Sequence, residues 1–267
     1  MSPHVTFVVR SRDNAPTGLV AAVGHTRDLL PEEIGTAVHA TTVTETMASL
    51  IKDLGVQTSD VQLALVKCPL LTSAKLGAIR AAGKDPLTSD TYESMALSRY
   101  ASAIGIASAL SELANETDVA SALTTKQAWS AKASCSSGAE LEDNHIFVLA
   151  TDPSVDASNA RLRAASRPMN DAIDAEAVLS LLAQIKHAKG RVLQVFAKAE
   201  ADPSGTIHGS RHTMNTDSDI HSTRHARAAV GGLLAGLTGD TQLYVSGGAE
   251  GQGAPGGGSL CVVYEVA

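Results

Sequence analysis

Two lysines, two arginines and two serine-bearing turns recur in the same order along this chain. Lys67 ends the apolar run Val61-Gln62-Leu63-Ala64-Leu65-Val66, and Lys198 ends Val192-Leu193-Gln194-Val195-Phe196-Ala197. Arg99 and Arg224 follow, each on a segment with helical patterning. Each set closes on a near-identical pentapeptide, Ser136-Ser137-Gly138-Ala139-Glu140 and Ser246-Gly247-Gly248-Ala249-Glu250. A long-period repeat of this kind marks a duplicated structural unit. Serine is a poor nucleophile until a base takes its proton. A buried lysine near other cations can fall from ~10.4 towards ~7–8 and act as that base. Arginine presents planar, paired donors to carbonyl or imide oxygens, and the N–H groups of a glycine turn can face a developing oxyanion. Together these parts suit attack on an amide carbonyl in a small, planar, polar ring or chain. Ser-Gly-Gly is common in turns, so the paired order is the specific signal.

Competing motifs fail on context. Gly251-Gln252-Gly253-Ala254-Pro255-Gly256 matches a dinucleotide fingerprint literally, but Pro255 sits inside it and a strand, not a helix, follows. Ser49-Leu50-Ile51-Lys52 matches SxxK without the companion motifs of that chemistry and reads as a solvated helix face. His208/His212 and His221/His225 have i,i+4 spacing without an HExxH frame, which argues against zinc. Glu200 and Glu250, with the carbonyl-rich loop Gly251 to Gly258, offer oxygen ligands to a hard cation; a plain glycine-rich turn is the alternative.

The elements that must position these residues alternate between strand and helix. The first unit reads as strands at Val5–Arg10 and Leu19–His25 around the turn-rich Ser11–Gly18, then a helix start over Thr26–Ile34. A helix over Thr42–Leu54 stops at Gly55, and the Lys67 strand breaks at Pro69. A long helix follows over Ser89–Leu113, capped by Asp90 and carrying Arg99. A polar linker through Asn115 and Thr117 leads to Ser136, and His145–Ala150 is a strand. The second unit repeats the order: strand Arg161–Ser166, helix start Met169–Val178, the Lys198 strand, a helix from Thr216–Asp219 through Arg224 towards Gly236, and strands at Thr241–Val245 and Leu260–Val266. This pattern predicts an α/β or α+β fold built by duplication.

Composition sets the outer bounds. With 267 residues, 44% hydrophobic and only 3% aromatic, the chain can build a real core, made from Ala, Val, Leu and Ile. A net charge of −7 argues against nonspecific nucleic-acid binding. Cys68, Cys135 and Cys261 form no CxxC and no closed disulfide set, which points to buried thiols in a reducing cytoplasm. No run approaches a signal peptide or a membrane span, so a soluble protein is expected.

Longer stretches carry a resemblance. Lys67-Cys68-Pro69-Leu70-Leu71-Thr72, Asp90-Thr91-Tyr92-Glu93-Ser94-Met95, Phe196-Ala197-Lys198-Ala199-Glu200-Ala201 and Arg211-His212-Thr213-Met214 resemble the cyanuric acid hydrolase/barbiturase family. So do Ser222-Thr223-Arg224-His225-Ala226-Arg227 and Tyr244-Val245-Ser246-Gly247-Gly248-Ala249-Glu250 with Pro255-Gly256-Gly257-Gly258. The resemblance spans nearly the whole chain. It implies ring-opening hydrolysis of a cyclic amide, in a fold of three similar units about a pseudo-threefold axis, each giving one Lys, Arg and Ser to a central pocket. It implies Lys67 as base and Ser136 as nucleophile. Arg99 with Ser136 and Ser137, and Arg224 with Ser246 and Gly247, would hold ring oxygens, and Lys198 and Ser246 would bind and polarise. Glu200 with Ala249, Gln252, Gly253, Ala254 and Gly257 would hold a structural Mg²⁺ or Ca²⁺, catalysis itself needing no cofactor.

The implied substrate is a small planar ring, cyanuric or barbituric acid, in a cytoplasmic homo-oligomer, a tetramer in the family. The implied division is residues 1–17 as a remnant of the first unit, 18–155 as the second and 156–267 as the third. The chain then lacks one clamp and one dyad, so weak or absent turnover is expected, and an inactive ring-binding homologue is the alternative of another class.

Overall fold

The computed structural model describes residues 1–9, 16–114 and 117–266. Arg10, the turn residues 11–15 and the linker residue Asn115 lie outside them. The first unit runs β1 (Leu19–His25), α1 (Ala37–Leu54), β2 (Val61–Pro69), α2 (Ser73–Ala81), α3 (Thr91–Ala109), α4 (Val119–Thr125), β3 (Ala133–Gly138) and β4 (His145–Thr151). The second runs β5 (Leu162–Ser166), α5 (Ala175–His187), β6 (Gly190–Ala199), a short hairpin of β7 (Thr206–Ile207) and β8 (Ser210–Arg211), α6 (Ser222–Thr238), β9 (Tyr244–Gly247) and β10 (Leu260–Val266).

The sheets have the orders β1-β4-β2-β3 and β5-β10-β6-β9. In each, the lysine strand pairs antiparallel with the last strand of its unit and parallel with the serine strand. The duplication read from the motifs is therefore present in the topology as well.

Strand alternation decides what each face does. Ala64, Val66 and Cys68 of β2 point towards α1 and α3, where Val43, Met47 and Ile106 complete one core. Val195, Ala197 and Ala199 of β6 do the same towards α5 and α6. The opposite faces meet in a seam of Leu63, Leu149, Phe196 and Cys261. Lys67 and Lys198 have the parity of the seam residues, so both point between the units rather than into a helical core.

Several sequence expectations shift. The helix expected from Thr42 begins at Ala37, and the one expected over Ser89–Leu113 is trimmed to Thr91–Ala109, with Asp90 accepting from the N–H groups of Tyr92 and Glu93. The span from Leu71 to Thr125 holds two short helices, α2 and α4, in place of unbroken loop and linker; Thr72 and Asp118 cap them. The helix start at Thr26–Ile34 is a single tight turn over Pro31–Glu33. Val5–Val9 joins no strand ladder among the described residues: Val5, Phe7, Val8 and Val9 are exposed, and the segment lies along the second unit through Gln194 Nε2 donating to Thr6 Oγ1 (2.6 Å).

Candidate active site

Register brings each lysine to its serine. Lys67 is the cross-strand partner of Ser136, and Lys198 that of Ser246. Equivalent backbone positions nonetheless give different side-chain environments. Lys198 is fully buried and donates to Cys135 O (2.6 Å), Ser246 Oγ (3.0 Å) and Gly247 O (3.3 Å). Burial, then the nearby Arg99 charge, brings its pKa down to about 8. Lys67 is 45% exposed, and its Nζ lies 3.6 Å from Glu140 Oε1.

The arginines also differ. Arg99 rises from α3 and is buried; its Nε and Nη2 donate to the two oxygens of Glu250 (2.8 and 2.7 Å), and its Nη1 reaches Ser137 Oγ at 3.3 Å. The ion pair joins the two units. Burial alone would lower the guanidinium pKa, but the hydrogen bond and charge of Glu250 carry it above the usual value. Gly248 makes this possible: it has φ +76°, and a Cβ there would stand 2.7 Å from the guanidinium. Arg224, from α6, is exposed at the mouth of the same cavity.

That cavity, of about 300 Å³, is lined by Arg99, Ser136, Ser137, Arg224, Ser246 and Gly247, with Tyr92, Met95 and His221 at its rim. A neighbouring cavity of about 290 Å³ is lined by Lys67, Ser136, His145, Phe147 and Tyr244. Ser136 stands at the wall shared by the two.

Three contacts of the site are not evident from sequence. Glu250 occupies the Arg99 fork, and Cys135 offers its carbonyl to Lys198. The third is His145, which pairs with Lys67 on the side opposite Ser136. With His25, the partner of His145, a polar row His25–His145–Lys67–Ser136 crosses the whole first sheet on one face. A histidine at each end of an apolar run was the available signal, but only strand order aligns them.

The residues expected to hold a hard cation can be tested for fit. Glu200 follows the end of β6, with its carboxyl pushed up to about 7 by burial and by the neighbouring charge of Glu250. Its one hydrogen bond, from Gly256 N, is long at 3.4 Å. A buried carboxyl beside a second carboxylate, under a loop rich in carbonyls, has the chemistry of a Mg²⁺ or Ca²⁺ ligand. The side chain of Gln252 is committed elsewhere: its oxygen accepts from Cys135 N, and its amide donates to Gly248 O and Glu250 O. The main-chain oxygens of Gln252, Ala249 and Ala254 each accept one bond, from Ser259 N (2.6 Å), Gln252 N (2.8 Å) and Gly257 N (2.8 Å), so a cation would take their second lone pairs together with the main-chain oxygens of Gly253 and Gly257.

Comparison with known proteins accords with this architecture. A family model for amidohydrolase ring-opening proteins matches residues 1–265. A cyanuric acid amidohydrolase of Sarocladium sp is 62% identical over 265 residues, covering 99% of this chain and 76% of the relative. One from Rhodococcus sp is 51% identical, covering 100% and 75% respectively. The crystal structure of cyanuric acid hydrolase from A. caulinodans superposes with a TM-score of 0.86 at 42% identity, over 95% of this chain and 73% of that one. Another cyanuric acid hydrolase, described as an evolutionary innovation by structural concatenation, gives 0.84 at 40% identity, over 97% and 72%. On sequence, topology and superposition alike, this chain belongs to the ring-opening amidohydrolase family.

Proposed function

We propose that this chain hydrolyses a planar cyclic imide, with cyanuric acid as substrate, Ser136 as nucleophile and Lys67 as its base. The observation that carries the reading is a single polar cavity lined by serines and arginines from both repeats. A trioxo ring presents equivalent carbonyls, and a duplicated Arg–Ser clamp meets two of them alike. Arg99 Nη1 with Ser137 Oγ serves one carbonyl, and Arg224 with Ser246 and Gly247 the other. Ser136 Oγ attacks a ring carbonyl while its proton passes to Lys67 Nζ. The ring C–N bond then breaks, and the nitrogen takes up that proton. Water hydrolyses the acyl-enzyme to carboxybiuret, which loses CO₂ to give biuret. Lys198, held on Ser246, polarises the ring from the other side.

Barbituric acid has the same planar outline and is the alternative substrate, giving ureidomalonate. A second assignment of roles, with Lys198 as base and Ser246 as nucleophile, is favoured by their 3.0 Å hydrogen bond and by the lowered lysine pKa. Glu200, with the main-chain oxygens of Ala249, Gln252, Gly253, Ala254 and Gly257, would hold a structural Mg²⁺ or Ca²⁺, which would supply positive charge beside the buried carboxyl. The protein works as a cytoplasmic homo-oligomer, with neither nucleic acid nor membrane as partner; no helix of the described residues is long and apolar enough to cross a membrane.

The test is loss of ultraviolet absorbance of each ring with the wild-type chain, Ser136→Ala and Ser246→Ala. A drop of about a thousandfold or more in Ser136→Ala, with a smaller one in Ser246→Ala, supports the first assignment; the reverse order supports the second. Ring binding by calorimetry with no turnover in any form would make the chain a binding homologue and overturn the enzymatic reading.

A further inference from the structure

At the far end of the polar row lie His25, Asp143 and His145, whose ligand atoms all fall within 4.8 Å of one another. His25 Nδ1 is 3.0 Å from Asp143 Oδ2, and His145 Nε2 is 3.0 Å from Asp143 Oδ1. The imidazole centroids stand 3.9 Å apart. We propose that this triad is a binding site for a borderline divalent cation of the Zn²⁺, Ni²⁺ or Co²⁺ class, distinct from the oxygen-rich loop at Glu200.

The backbone sets the geometry. His25 and His145 are directly opposed in the β1–β4 ladder, so their rings emerge side by side on one face. Asp143 precedes β4 and is held through its neighbour: Asn144 N donates to Thr26 Oγ1 (2.9 Å), Thr26 N to Asn144 O (3.0 Å), and buried His39 bonds Asn144 Oδ1 (2.8 Å). An ion with bonds of about 2.0–2.1 Å keeps its ligand atoms roughly 3.3 Å apart in a tetrahedron. The observed 3.0 Å nitrogen–oxygen separations need little change to reach that. The half-exposed imidazoles leave the remaining position to water. Two imidazoles and one carboxylate suit borderline transition-metal ions rather than Mg²⁺ or Ca²⁺. His208–Asp171 and His225–Asp217 offer two ligands each; this triad is the one three-ligand group of His, Cys, Asp or Glu among the described residues.

The experiment is calorimetric titration of the chelator-treated, dialysed full chain with ZnCl₂, in excess MgCl₂ to occupy oxygen sites. The d–d absorption of Co²⁺ reports nitrogen coordination in parallel. Saturable uptake of one Zn²⁺ per chain is expected, weakened about 100-fold or more in the His25→Ala/His145→Ala double variant and about 10-fold or more in Asp143→Asn. Circular dichroism shows whether the variants remain folded; the histidines are exposed, and Asp143→Asn preserves the side-chain shape should the double variant fail. No saturable uptake by the wild-type chain, or unchanged affinity in folded variants, would overturn the proposal.

Discussion

Lys67 and Lys198 occupy matching positions on matching strands, and their surroundings separate their chemistry. Lys198 is fully buried, with three oxygen acceptors and the Arg99 cation nearby. Its pKa of about 8 lies below the unfolded value, so the unfolded chain holds this proton through a pH range in which the native chain has released it. Stability contributed here therefore increases as pH climbs from 8 towards 10.5. Relative to Lys198→Met, the wild-type protein is expected to gain about 2 kcal/mol between pH 7.5 and pH 10. Urea titrations of the pair at both pH values check this; a constant difference would mean that Lys198 titrates as it does in the unfolded chain.

Among the elements, helix α1 is tied to the β4 approach by a buried histidine. His39 accepts from Gly35 N at Nδ1 (3.1 Å), and its Nε2 faces Asn144 Oδ1 (2.8 Å). Burial brings its pKa down to about 4, so the ring stays neutral in the fold. The sign of the linkage follows: this contribution is full above pH 6.5 and is lost as pH falls towards 4, because the unfolded chain takes up the proton first. Acidification from pH 7 to pH 5 is expected to cost about 2 kcal/mol from this site. In His39→Gln that part of the pH slope should vanish, and an identical slope in both proteins would refute the assignment. The sequence placed the end of α1 and the start of α3 to within a turn, because Gly55 and Asp90 carry stop and capping signals there, while the start of α1 and the end of α3 lie four to five residues from the expected positions. It missed α2 and α4, which are too short for a clear period, and it missed the His39–Asn144 link, which joins residues far apart in the chain.

For the molecule as a whole, the two units are fastened by groups that also build the site. Arg99 of the first grips Glu250 of the second, and Lys198 of the second reaches Cys135 O of the first. Glu250→Ala leaves a buried guanidinium without its counter-charge and is expected to cost about 3–5 kcal/mol. Arg99→Met/Glu250→Met should recover much of that, since paired removal leaves no orphaned charge. Chemical denaturation of the three proteins decides it, and a loss under 1 kcal/mol in Glu250→Ala would show the pair to be solvated. Covalent order alone determined the repeat and the family, because a duplicated Lys, Arg and Ser-small-Gly-Ala-Glu set is legible in any representation of the chain. Which lysine is buried, which arginine is already engaged and which histidine stands beside Lys67 were decided only by tertiary structure. Burial and charge pairing depend on which strands become neighbours, and equivalent sequence positions acquire different neighbours when they face different parts of the fold.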